Sequence, residues 1–267
     1  MVQESSFLSL NIEFRMPSDI FHHLTDKLMG QTFADIDNLK EDYEMAKVAA
    51  LHYSKTENAI AVLSNIHDGR SFIVYGRLGK HLGLSAEMDN REVPSIWERE
   101  LMKRFHEDDI VEKLALELQF ITFVKTLPED CRRDYYLQHV LRMKDVKGNY
   151  VYVTHRIYYL RYDNGGNVLL ALCLYTIATP EQHQVGIINS LTGERVKETS
   201  TEINTLLSER EKDVLRMIGD GKASKEIADR LCISTHTVNG HRQNILKKIG
   251  ACNSTEAYNV ARKLGII

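Results

Sequence analysis

LSEREKDVLRMIGDGKASKEIADRLCISTHTVNGHRQNILKKIGACNSTEAYNVARKLGII (207–267) is a run of short segments, each with its own start and stop signal. Ser208 and Glu211 stand at capping-box spacing ahead of the apolar positions Val214, Leu215 and Ile218, which predicts a helix over 209–219. Gly219 and Gly221, on either side of Asp220, permit the positive φ that ends it. Ser224 reads as the N-cap of a second helix, 224–231, with Ile227, Ala228 and Leu231 on one face. Ser234 reads as the N-cap of a third, whose buried side is Val238, Ile245 and Ile249. Lys247 and Lys248 suit the negative end of its dipole, and Gly250 closes it. Asn253 and Glu256 open a fourth.

The middle pair has the makings of a helix-turn-helix. Two helices crossing steeply need a small residue at the point of contact and apolar residues around it. Ala228 is that residue, with Ile227, Leu231, Ile233 and Val238 about it. His236, Asn239, Gly240, Gln243 and Lys247 recur at helical spacing on the opposite, polar face of the third helix. In a helix-turn-helix that face enters the major groove.

At this point the residues resemble the LuxR/GerE-type helix-turn-helix family. The match runs through Leu207-Ser208, Arg210-Glu211, Asp213-Val214-Leu215, then Gly221, Ser224-Lys225-Glu226-Ile227-Ala228, Leu231, Ile233-Ser234, Thr237-Val238, His241, Ile245 and Lys248-Ile249. It covers Leu207 to about Leu264 and leaves the rest of the chain unaddressed. The resemblance implies double-stranded DNA as partner. It puts Lys225 and Thr237 on the phosphate backbone, with Ser234, His236 and Lys247 on the same DNA-facing surface and His241 in support. Asn239, Gly240, Arg242 and Gln243 then occupy or border the base-reading stretch. Many relatives have Lys after the Thr-Val pair, where this chain has Asn239 and Gly240. Asn and Gln pair bidentately with adenine, so Asn239 and Gln243 suggest A·T content in the half-site. Gly240 weakens its helix by about 1 kcal/mol relative to Ala, a cost that close approach of the backbone to DNA would explain.

In the family the last helix makes the dimer contact, which here implies Ala257, Tyr258, Ala261 and Leu264. Packing of the same side chains within the monomer is the alternative. A homodimer has a physical motive, since two half-sites about a helical turn apart multiply a weak single-module affinity.

Charge divides in the same way. Residues 205–267 hold 11 Lys+Arg against 7 Asp+Glu, a net +4, so the whole-chain totals of 34 and 37 leave 23 and 30, a net −7, for residues 1–204. A basic tail on an acidic body suits phosphates at the tail alone. The 43% hydrophobic and 27% charged content over 267 residues is ordinary globular material, enough for two domains. No run approaches the roughly 18 apolar residues of a membrane span. MVQESSFLSLNIEF (1–14) lacks the basic and apolar regions of a signal peptide, and Cys131, Cys173, Cys232 and Cys252 lie far apart without C-x-x-C spacing. Together these predict a cytoplasmic protein without a disulfide frame or zinc site.

In the body, AIAVL (59–63) and SFIVYG (71–76) flank NIHDG (65–69), which has the composition of a hairpin turn. The stretch from Ile96 to about Gln119 reads as helical, with HEDD (106–109) at a helix start. YVYVTHRIYYLRY (150–162) and NVLLALCLYTIAT (167–179), joined by Asp163, Asn164, Gly165 and Gly166, read as a long antiparallel hairpin. Strand pair, helices and second hairpin is the element order of PAS domains, and FHEDDIVEKL (105–114) with 147–179 resembles one; a GAF-like sensor fold is the alternative. A phosphoacceptor receiver would need a βαβα order that is absent. An acyl-homoserine-lactone domain would carry tryptophans, and Trp97 stands alone. The photoadduct cysteine of flavin-binding PAS domains has no counterpart around Cys131.

His22, His23, His106, His155 and His183 show no paired ligand spacing, so no metal site is expected. Tyr150, Tyr152, Tyr158, Tyr159 and Tyr162 read as sheet surface rather than a ligand cavity. No nucleophile–base pair or phosphate-cradling loop emerges, so no catalytic residue is expected and the chain does not read as an enzyme. PSDIFHHLTDKLM (17–29) and 33–52 read as two helices, either a dimer surface or a lid on the sensor core.

The expected class is α+β: a helical extension (1–58), a PAS-like antiparallel sheet with helices (59–188), a polar linker (189–206) and a separate all-α four-helix domain (207–267). The expected function is a bacterial transcriptional regulator whose sensor domain answers a small-molecule or protein signal, with the cofactor unspecified. The alternative is a regulator whose N-terminal domain binds another protein constitutively.

Overall fold

The computed structural model describes residues 18–34, 36–84, 89–179, 185–196, 206–251, 253–263 and 265–267. They fall into two compact units. One holds residues 26–109 and 123–196; the other holds 18–25, 110–122 and 206–267, so the division passes through the first and fifth helices. The expected α+β class holds, with an antiparallel sheet in the first part of the chain and helices at the C-terminus.

The sheet unit is built on seven strands: β1 (Ile60–Asn65), β2 (Arg70–Val74), β3 (Arg91–Val93), β4 (Tyr135–Lys144), β5 (Tyr150–Tyr162), β6 (Val168–Ile177) and β7 (Gly186–Asn189). Their order is β3-β2-β1-β6-β5-β4-β7, and every pairing is antiparallel. Both expected hairpins form, β1–β2 across residues 66–69 and β5–β6 across Asp163–Asn167, where Gly166 takes φ 79°. β1 and β6 are the central strands and are apolar on both faces, which is why they read as continuous runs rather than as alternation. β4 was not legible as a strand, since Gln138, His139, Arg142 and Lys144 interrupt it; pairing with β5 along its whole length holds it in place.

The helices of the N-terminal half are α1 (Ser18–Met29), α2 (Leu39–Glu57), α3 (Gly76–His81), α4 (Arg99–Met102) and α5 (Glu107–Lys125). The second helix starts at residue 39 rather than 33, because Asn38 adopts a left-handed conformation (φ 62°) that sets the chain direction just before it. The helical stretch read over 96–119 is broken, with α4 and α5 separated by residues 103–106, and His106 is the N-cap of α5 as its sequence suggested.

Strand alternation sorts the sheet into two faces. Leu39, Tyr43 and Ala50 of α2 pack on Ala61, Leu63, Val74, Leu170, Leu172 and Leu174, so α2 is part of the sheet's own core. Ile60, Val62, Ile73, Leu137, His139, His155, Ile157 and Tyr175 point to the opposite face by register. Long-range polar contacts tie the ends of this unit together. The carboxylate of Asp163 accepts from the backbone N–H of Ala34 at 2.9 Å and of Asn167 at 2.7 Å. The Asn167 amide reaches Thr32 O at 3.0 Å, and the Gln31 amide oxygen accepts from Val168 N at 3.0 Å. Arg142 of β4 donates to both carboxylate oxygens of Asp109, through Nη2 at 2.6 Å and Nε at 3.0 Å, anchoring the first turn of α5.

The stretch read as a linker is part sheet. β7 pairs with β4, and Arg195 bridges back to Ile188 across a turn at 190–192, so the first residues of this stretch are held against the sheet edge; 197–205 lie outside the described residues. No described helix is long and apolar enough to cross a membrane.

Candidate nucleic-acid interface

The C-terminal helices are α6 (Glu209–Gly219), α7 (Ser224–Leu231), α8 (Thr235–Ile249) and α9 (Ser254–Lys263). α8 packs against α6, α7 and α9, and α9 packs back on α6. Val214, Leu215, Ile227, Val238, Ile245, Ile249, Ala257 and Ala261 form their shared interior.

The capping box at α6 forms in both directions, with Ser208 Oγ accepting from Glu211 N at 3.3 Å and the Glu211 carboxylate accepting from Ser208 N at 2.8 Å. The same carboxylate receives Lys248 Nζ at 2.7 Å, which joins the start of α6 to the end of α8. Burial pushes the Glu211 carboxyl upward, and the bonds from Lys248 and Ser208 outweigh it and hold it below the usual glutamate range. Arg210 donates to the carbonyl of Leu231 at 2.6 Å, completing an open acceptor at the end of α7.

One expected cap is displaced by a residue. The N-cap of α7 is Ala223, whose N–H is taken by the Glu226 carboxylate at 2.8 Å; Ser224 is the first helical residue. Its hydroxyl instead accepts from Arg242 Nη1 at 3.0 Å, linking the start of α7 to α8. Cys232 closes α7 in the left-handed region (φ 53°), and Ile233 N returns to Ala228 O at 3.0 Å. The turn between the two helices is therefore three residues long, and Ser234 at once caps α8, accepting from Thr237 N at 3.0 Å.

On α8, the expected DNA-facing residues Ser234, His236, Thr237, Asn239, Gln243 and Lys247 are exposed, as is Lys225 on α7. Gly240, His241 and Arg242 are half-buried. Ser234 and Thr237 hydroxyls lie 2.8 Å apart, so the first turn presents a preorganised pair of oxygens at the positive end of the helix dipole. Arg242 spends one donor on Ser224, which makes it a brace of the helix pair as well as a neighbour of the exposed face.

Two glycines separate packing from surface. A methyl group on Gly219 would lie 2.0 Å from the Tyr258 ring, so that glycine exists to let α9 approach α6. A methyl group on Gly240 would meet nothing within 4 Å. The Tyr258 contact was not legible, because it needs the crossing of α6 and α9, which are far apart in sequence. It also bears on the expected dimer set: Ala257 and Ala261 are fully buried in the domain and Tyr258 packs on Gly219, while Leu264 lies outside the described residues.

In the sheet unit, register assembles a polar and aromatic row that sequence spacing concealed. His139 of β4 and His155 of β5 are directly paired, with Nε2 and Nδ1 2.7 Å apart, and Tyr175 of β6 stacks on His155 at 4.3 Å. Phe105 stacks on Tyr175 in turn, at 6.2 Å. In sequence His155 stands without paired spacing, because its partner His139 lies on β4, whose polar residues hide the strand. His183 lies outside the described residues. The tyrosines divide by position: Tyr150 and Tyr152 are exposed sheet surface, whereas Tyr159 and Tyr162 are buried.

Residues 205–261 match the family model for bacterial regulatory proteins of the luxR family. Over 60 residues the chain is 52% identical to the transcriptional activator protein PhzR of Pseudomonas fluorescens, covering 22% of this chain and 25% of that one. It is 51% identical over 61 residues to the quorum-sensing regulator RhlR of Pseudomonas aeruginosa, covering 23% and 25%. The chain thus spans about a quarter of the length of these curated relatives. Among solved structures, a VqmA dimer of Vibrio cholerae without its target DNA is similar at 17% identity and TM-score 0.31, over 82% of this chain and 88% of that one. A sensory box histidine kinase/response regulator from Burkholderia thailandensis is similar at 16% identity and TM-score 0.34, over 52% and 86%. The matched range takes in the helix pair, its three-residue turn and most of the last helix: the C-terminal part of this chain is a LuxR-family DNA-binding helix-turn-helix domain.

Proposed function

We propose that this chain is a cytoplasmic bacterial transcriptional regulator that binds operator DNA as a homodimer, with its sheet unit receiving a small-molecule or protein signal. The observation that supports it best is the exposed polar face of α8, from Ser234 to Lys247, held on a three-residue turn with Lys225 exposed on the preceding helix. Phosphate contacts fix the register of such a helix and base-edge contacts carry its specificity. Thr237 and Lys225 serve the first role, Asn239 and Gln243 the second, and Gly240 admits the duplex where a side chain would stand in the way. The domain division follows this reading: residues 207–267 are the output module, 59–188 the sensor, 1–58 a helical extension, and the linker lies within 189–206.

The test uses duplexes selected by the full chain from a random pool. Lys225→Ala should weaken binding to all sequences and lower the salt slope by about one per protomer. Gln243→Ala should cost about 1–3 kcal/mol at particular base pairs and leave other positions unchanged. Equal losses at every sequence for Gln243→Ala would remove it from the base-reading set. For the sensor, mass spectrometry of the purified chain should find a bound small molecule whose removal changes DNA affinity. Absence of any such effect favours the second reading, in which the N-terminal part is a constitutive protein-binding module.

A further inference from the structure

α2 has two faces of opposite character. Leu39, Tyr43, Ala50 and Ser54 are buried against the sheet. On the far side Glu41, Met45, Val48 and His52 follow one another at spacings of four, three and four, and all are exposed. Met45 is 64% exposed and Val48 57%, and among the described residues no other helix leaves a large apolar side chain so open. Ala49 beside them is small and also exposed. A stripe at four-three spacing with exposed apolar residues at its centre and polar ones at its ends suits a helix that packs lengthwise on another helix.

Charge along the same stripe selects the partner and its direction. Its N-terminal end carries Glu41, its C-terminal end His52 and, one turn on, Lys55. A parallel second copy would set Glu41 against Glu41. An antiparallel copy sets Glu41 against His52 and Lys55, at both ends at once. We propose that α2 packs antiparallel on α2 of a second copy of this chain, about a two-fold axis midway between Met45 and Val48. Met45 of each copy then meets Val48 of the other, and each Glu41 meets the other copy's His52. The contact is isologous, as a closed dimer requires, and it joins the sheet units directly ahead of β1. It rests on the reading of this chain as a dimeric DNA-binding regulator, for which it supplies a contact that the buried Ala257 and Ala261 do not.

The experiment is sedimentation of the full chain without DNA over a micromolar range, with urea unfolding of each variant as a control on folding. Glu41→Lys and His52→Glu should each weaken the dimer about tenfold, because each change acts twice across the axis, and the double variant should restore it. Met45→Glu should weaken it about a hundredfold while leaving the unfolding midpoint of the monomer unchanged. A dimer indifferent to all of these places the contact elsewhere and overturns the proposal, with the dimer reading intact. Met45→Glu lowering the stability of the monomer would mean that another part of the same chain covers the stripe, which also overturns it. A monomeric wild-type chain overturns it too, and the stoichiometry on selected duplexes then decides the underlying reading: two copies per duplex keep it, one copy sinks it.

Discussion

The C-terminal helices and the sheet are held together over different distances along the chain. In the helical domain three helix starts are set by residues three apart, Ser208 with Glu211, Ser234 with Thr237 and Asn253 with Glu256. In the sheet unit the polar contacts that matter join Gln31 to Val168, Ala34 to Asp163 and Asp109 to Arg142. Local caps are cheap to form and each contributes little. Long-range bonds form only after the chain has closed large loops, and their loss undoes contacts that nothing nearby replaces.

The contrast is sharpest at Asp163, which is buried and accepts from two backbone N–H groups and the Asn167 amide. Asp163→Ala should destabilise the sheet unit by about 3 kcal/mol, measured by urea unfolding, since it removes a buried carboxylate that three donors from residues 34 and 167 share. A loss no larger than that of a helix cap would mean that the long-range bonds hold the sheet no more tightly than local caps hold the helices. Gly219→Ala should cost about 2 kcal/mol in the helical domain, because the new methyl displaces the Tyr258 ring. Adding Tyr258→Ser to it should recover part of that loss, and failure to do so would move the cause away from the ring contact.

Ser208→Ala removes a single local cap and should cost about 1 kcal/mol. A thermal shift of the helical domain with no change in sheet-unit amide protection is the expected result. Gly240→Ala has the opposite sign: nothing stands within 4 Å of the added methyl, so the helix should gain up to about 1 kcal/mol while affinity for selected duplexes falls. Unchanged affinity in a gel-shift titration would leave Gly240 with no part in DNA contact. The smallest effect concerns acid. Glu211 is held below its ordinary 4.5, so the stability it contributes is fully present above that value and is lost as pH falls through the lower folded-state value. Lys248→Met should flatten that acid-side decline in a pH series of unfolding midpoints.

The helical domain was legible almost to the residue because its signals are local. The helices over 209–219 and 224–231 lie where the sequence put them, and the one displaced cap, Ala223 for Ser224, follows from Glu226 taking the N–H and Arg242 taking the hydroxyl. In the sheet unit the two hairpins with short turns were legible, whereas β4 and β7 were not. β4 carries polar residues on its buried face, and β7 is a four-residue edge strand whose only warrant is the neighbour it pairs with. Missing β4 concealed the His139–His155 pair, since two histidines sixteen residues apart share no face until register brings them together.

By itself the sequence determined the C-terminal reader: capping residues, helix period and the turn act within a few residues, and they suffice to place Lys225, Thr237, Asn239 and Gln243 on or next to an exposed face. Only the tertiary structure decided which side chains that surface keeps. It buried Ala257 and Ala261, set Tyr258 against Gly219, tied Arg242 to Ser224, and laid α2 on the sheet with Met45 and Val48 turned outward. Those outcomes depend on which elements cross and how closely, and close packing between distant segments leaves no periodic trace in the chain that makes it.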